Sequence, residues 1–98
     1  MVFRKEQLVP VDVSANLAKG SLLKWDATNH HYVADNGTAP EAVLMEDVVA
    51  GQNPAYALAL VGGDVYEDEI AVSMTEDIKA LLRKVGIYVE KRSNVNVG

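Results

Sequence analysis

The chain contains no cysteine, so neither a disulfide framework nor a cysteine-based zinc site can form. No apolar run reaches the length of about 18 residues that a membrane-spanning helix needs. The N-terminus, MVFRKEQLVPVDV, carries charge ahead of a short mixed segment and lacks the apolar centre of a secretion signal. Positive charge is also scarce. Nine Lys and Arg stand against fourteen Asp and Glu, a formal net charge of −5. Nucleic-acid binding needs a basic face, so neither nucleic acid nor an anionic membrane is an expected partner. The only histidines, His30 and His31, are adjacent. Neighbours on a strand point to opposite faces, so they cannot easily hold one metal together. The acidic run Asp64, Glu67, Asp68, Glu69 lacks the spacing of a calcium loop. No Gly-x-Ser-x-Gly and no phosphate-cradling glycine loop is present. Asn36-Gly37-Thr38 matches a glycosylation acceptor, but Asn-Gly reads better as a turn. These absences lead to the expectation of a non-enzymatic protein without catalytic residues, metal or cofactor.

What the chain does have is apolar residues, 49% of its 98 positions. That suffices for one domain with a modest core, which association would help. The organising stretch runs from residue 55 to 91. Tyr56, Leu58 and Leu60 alternate with Ala55, Ala57, Ala59 and Val61, so both faces of this strand are apolar. Such a strand is expected to be covered on both sides, by its own chain or a neighbour. Gly62-Gly63 reads as a tight turn into DVYEDEI. Thr75 is an N-cap candidate, with Glu76 and Asp77 in the first helical turn. Ile78, Leu81, Leu82 and Val85 then form one apolar stripe. Arg83 and Lys84 sit at the C-terminal end, Gly86 fits the residue beyond it, and Ile87–Val89 are strand formers.

Before this stretch, residues 1–13 read as an arm. Val2, Phe3, Leu8, Val9 and Val11 are more apolar than a plain tail requires, and Pro10 disfavours a central strand position. The arm is either a frayed or edge strand, or a segment that orders on a partner's sheet edge. Residues 14–19 form a turn closed by Gly20. Leu22–Trp25 and His31–Ala34 form a hairpin, and Ala42–Val49 reads as a strand interrupted by Glu46 and Asp47. Trp25, at the hairpin end, is either a rim aromatic or an interface anchor. The expected fold is α+β and β-rich. It is a small, mostly antiparallel sheet or barrel-like domain with hairpins and one short helix near the C-terminus. The expected organisation is an arm at 1–13, the domain at 14–91 and a tail at 92–98.

One set of residues carries a resemblance. Gly20-x-Leu22, Tyr32, Val43-Leu44 with Glu46-Asp47-Val48, Ala57-Leu58-Ala59-Leu60-Val61-x-Gly63-x-Val65, and Val85-Gly86-Ile87-x-Val89 together resemble the head decoration proteins of tailed bacteriophages. The lambda type is nearest. The similarity spans residues 15 to 91 and is built of core, turn and cap positions. It implies a homotrimer on the outer surface of an expanded capsid, made in the host cytoplasm, that braces the major capsid (coat) protein. It also implies that an N-terminal arm, here Val2, Phe3, Leu8, Val9 and Val11, orders against the coat. Trp25, Tyr56, Leu58 and Leu60 are the expected oligomer contacts. Two features depart from the family. The segment between Ile70 and the helix is shorter, and Arg4, Lys5 and Glu6 stand in an arm that the family makes rich in Thr, Ser and Gly. The base domain of phage head-fibre proteins is a related alternative. A small soluble peptide- or ligand-binding module, with the 55–61 strand as groove wall, is an alternative of another class.

Overall fold

The computed structural model describes residues 3–91. Among these, the order is β1 (Arg4–Pro10), β2 (Leu22–Asp26), β3 (His31–Ala34), β4 (Ala42–Leu44), β5 (Tyr56–Tyr66), a 3₁₀ turn (Glu67–Glu69), α1 (Glu76–Lys84) and β6 (Ile87–Glu90). The strands lie in one sheet, β1-β5-β4-β2-β3, with β6 beside β5. The β5–β6 pair is parallel and the others are antiparallel. A parallel pair needs a crossover connection, and α1 supplies it. The two ends of the sheet meet, because Val11, just past β1, bridges Tyr32 of β3. The Asp12 N–H also donates to the Tyr32 carbonyl at 2.9 Å. The result is the β-rich, barrel-like α+β domain that the sequence predicts.

Closure gives the sheet an inside and an outside. Val9, Val11, Leu23, Ala42, Leu44, Val48, Ala57 and Ala59 fill the inside. Three alanines among them suit the narrow interior of a small barrel. On the outer face, Leu22, Val43, Leu60, Val65, Ile70 and Ile87 pack with Leu82 of α1. The middle of β5 is therefore covered on both faces by its own chain.

The Gly62-Gly63 pair does not turn, and β5 continues through it to Tyr66. The β1–β5 register passes from Glu6↔Leu60 to Lys5↔Gly62, which leaves Val61 unopposed. One extra residue in a strand is a bulge, and it reverses the in–out alternation. Leu60 and Val65 consequently share the outer cluster, which strict alternation forbids. Gly63 adopts φ +94°, and a Cβ there would run into the Phe3 carbonyl oxygen. The glycines thus serve a close strand approach.

β4 is shorter than the Ala42–Val49 strand expected, because two acids replace strand pairing with side-chain bonds. The Glu46 carboxylate accepts the Leu58 N–H at 2.6 Å. The Asp47 carboxylate accepts the Lys19 N–H at 2.8 Å. Val48 then returns to bridge Leu17. In α1 the caps are as expected. Thr75 Oγ1 accepts the Ile78 N–H at 3.2 Å, and Arg83 and Lys84 close the last turn. The stripe is rotated, however. Leu82 is fully buried, whereas Val85 is 38% exposed and Leu81 only half-buried.

Of the two readings of the N-terminus, the edge strand is the one that forms, and the separate arm at 1–13 is corrected. Residues 4–10 form a strand of the domain, paired along its length with β5. Val9 and Val11 are 3% and 1% exposed, inside the barrel. A boundary at 13/14 would cut this strand from its sheet. Val2 and the expected tail at 92–98 lie outside the described residues.

Candidate docking surface

β1 is the first strand of the sheet order and pairs on one side, with β5. From Lys5 to Leu8 its residues are all exposed. An edge of this kind offers unpaired backbone N–H and C=O groups to another strand. Its side chains belong to the surface too. Leu8 is 65% exposed and stands opposite Leu58, while Pro10 stands opposite Tyr56, itself 48% exposed. Leu58 is half-buried. Leu60, two residues on from Leu58, lies under α1, so Leu8, Leu58 and Tyr56 occupy the outer face where the helix no longer covers it. Phe3, at the start of the strand, is 67% exposed.

The edge is pinned at its N-terminal end. Arg4 forms an ion pair with Glu69, which also accepts the Tyr66 N–H at 2.9 Å. The bond to Glu69 raises the Arg4 pKa above its ordinary value. The Phe3 N–H donates to Asp64 Oδ2 at 3.2 Å. Its carbonyl accepts the Asp64 N–H at 2.6 Å. At the other end Val9 and Val11 are held by the interior. A rigid edge strand with outward apolar residues can add a partner strand without first being ordered.

A second concave surface lies at the C-terminal end of α1. Trp25, Pro40, Leu81 and Val85 line a groove of about 460 Å³ rimmed by Lys24 and Lys84. Trp25 is 39% exposed. Its ring meets Tyr32 edge-on at 5.2 Å between centroids. Its backbone N–H donates to Glu41 Oε1 at 2.7 Å. Burial raises the Tyr32 pKa, with a smaller contribution from Glu41.

Placement of the expected site residues is uneven. Leu8, Leu58 and Tyr56 come together on one surface, with Phe3 at the far end of the same edge. Val9 and Val11 are core residues with no face left for a partner. Leu60 is wholly buried and cannot be an oligomer contact. Trp25 belongs to the groove, with β4 between its strand and β5. The 55–61 strand is no free groove wall, since its middle is covered on both sides. Sequence reasoning missed the groove residues Lys24, Leu81, Lys84 and Val85. The helix stripe could not have marked them, because four apolar positions at that spacing are the ordinary core-facing pattern.

The histidines lie at the β2–β3 turn, where the His30 ring centroid is 6.5 Å from that of the groove residue Trp25. His31 Nε2 lies 3.9 Å from Asp26 Oδ2, and His30 takes a positive φ of 57° in the turn. Among the described residues, no group of three or more His, Asp or Glu is placed to hold a metal ion. No helix among them is long and apolar enough to cross a membrane. No family model matches the chain, and no curated protein matches it.

Proposed function

We propose that this protein is a non-enzymatic virion protein that docks as a homotrimer on the outer surface of an expanded phage capsid and stabilises it. The observation that carries the reading is the β1 edge. It is pinned at both ends, open along its outer side, and carries Leu8 exposed beside Tyr56 and Leu58, with Phe3 exposed at its far end. The resemblance to head decoration proteins supplies the partner, the coat protein. In this reading the coat adds a strand or loop to the β1 edge, and burial of the apolar side chains adds to the main-chain bonds. Many modest contacts repeated over a lattice then sum to a large effect on the shell.

The test is a single substitution on the exposed face. Leu8→Lys should leave the melting temperature almost unchanged, since exposed positions of this kind shift stability by about 0.5 kcal/mol or less. The same variant should bind expanded, undecorated capsids at least about tenfold more weakly, a difference of about 1.4 kcal/mol. Co-sedimentation with those capsids reads the effect. Full binding by the variant would remove the β1 edge from the mechanism. Absence of binding by the unaltered protein would remove the capsid role.

A further inference from the structure

Among the described residues, the one buried polar side chain is Asp35, 8% exposed. It follows β3 and opens the loop to β4. Its carboxylate accepts the Gly37 N–H at 2.8 Å and the Ala39 N–H at 3.2 Å. Asn36, the next residue, is exposed. Its amide oxygen accepts the Thr38 hydroxyl at 2.5 Å. Gly37 takes φ +94°, and a Cβ there would come within 3.2 Å of Ile78 Cδ1, so the loop leans on α1. These bonds surround a reactive pair. In an Asn-Gly step the glycine nitrogen can attack the asparagine amide carbon, because glycine has no Cβ to hinder the approach and the freest backbone. The nitrogen loses its proton as it attacks, and the amide oxygen takes up negative charge. Here a carboxylate already holds the Gly37 N–H, and a hydroxyl already points at the Asn36 amide oxygen. A base on the nucleophile and a donor on the developing oxyanion are the groups that acyl transfer needs.

We infer that Asn36 is a site of self-catalysed deamidation, with Asp35 as base and Thr38 as oxyanion donor. The Gly37 nitrogen bonds to Asn36 Cγ as Asp35 takes its proton, and the Thr38 hydroxyl holds the oxyanion. The bond from Cγ to the amide nitrogen then breaks. That nitrogen takes the proton back from Asp35 and leaves as ammonia. Water opens the remaining cyclic imide at either carbonyl, which gives aspartate or isoaspartate at position 36. The sum is one amide and one water converted to one acid and one ammonia, with no oxidant or reductant. Either product sets a second carboxylate beside buried Asp35, and isoaspartate also lengthens the backbone by one carbon. The loop then fits less well against α1, so the reaction is a clock that lowers the stability of older chains. This chemistry is independent of any capsid.

Timed incubation of the folded chain at neutral pH tests it. Peptide mapping by mass spectrometry, with isoaspartate resolved by chromatography, follows each asparagine. Asn36 should convert at least about tenfold faster than in a free peptide of residues 33–40, a fraction of what positioned acid and base groups supply. A loop that merely restrains the chain would give the opposite order. Thr38→Val should slow the folded chain towards the peptide rate, whereas Thr38→Ser, which keeps the hydroxyl, should hold the original rate. Asp35→Asn should also slow it, and melting by circular dichroism reports whether each variant folds. Thr38 is exposed, so its two variants decide the matter even where Asp35→Asn unfolds. The aged chain should melt below a fresh sample. Conversion no faster than in the peptide overturns the inference, as does full-rate conversion in Thr38→Val. Deamidation that maps to other asparagines and spares Asn36 overturns it too. An aged, converted chain that melts with the fresh one overturns the clock.

Discussion

Leu82 and Leu81 are neighbours with the same side chain and opposite fates. Leu82 is enclosed between α1 and the outer face of the sheet, while Leu81 lines an open groove. Leu82→Ala should therefore cost about 2–5 kcal/mol through lost burial and a cavity. Leu81→Ala should cost less than about 1 kcal/mol. Thermal melting of the two variants side by side checks the helix phase. Equal shifts would mean that both residues face the core. A second residue-scale case is Asp26, in the turn between β2 and β3. Its carboxylate accepts the Asn29 side-chain amide at 2.9 Å and the Thr28 N–H at 3.0 Å. These bonds hold its pKa below the ordinary value, the Asn29 side chain contributing most. A lowered folded pKa means that the ionised form favours the fold. Its contribution is complete above the ordinary aspartate range, near pH 4, and is lost as pH falls through the lowered value. Asp26→Asn should flatten the acid side of a plot of melting temperature against pH, with the neutral side least changed in slope. An unaltered acid limb in the variant would show that the turn is not pH-coupled.

At the scale of the element, β1 is the strand that exposes most and anchors most. Its middle is open to solvent, and Val9 with Val11 just beyond it reach the interior. Deleting residues 2–11 should therefore abolish the cooperative melt, because it removes Val9 and Val11 and bares the β5 edge. A truncated chain that melts at the original temperature would restore the idea of a dispensable arm. The sequence shows why this strand was hard to read. Arg4 to Gln7 are polar without alternation, Pro10 suggests an edge or a break, and the partner strand lies far along the chain. Elements whose signals are local were legible. The β2–β3 hairpin, the Thr75 cap, the turn at Gly86 and the fold class all follow from neighbouring residues. The bulge at Val61 was not, because it depends on how Lys5 meets Gly62 across the sheet. The same holds for the docking surface. Leu8 and Tyr56 are visible as apolar residues, but only the β1–β5 register places them side by side. The groove was illegible for another reason, since Lys24 and Lys84 come from elements that only tertiary packing brings to one rim.

At the scale of the whole molecule, closure of the sheet rests on one bridge and one backbone bond, from the residues after β1 to Tyr32. A domain of this size has little stability in reserve, so association or docking adds a substantial share of the total by mass action. Closure also fixes an order in time. β1 is the first strand in the chain, yet the strand it pairs with is β5, made only after β2, β3 and β4. During synthesis β1 has no edge to join until the chain has emerged as far as Gly63. Its pairing is long-range, the kind that loop entropy makes slow. A newly made β1, carrying Phe3 and Leu8, therefore waits the longest of the strands for its place. The sequence tolerates that wait because Arg4, Lys5, Glu6 and Gln7 keep the waiting segment hydrated, as charged residues do beside segments prone to mispairing.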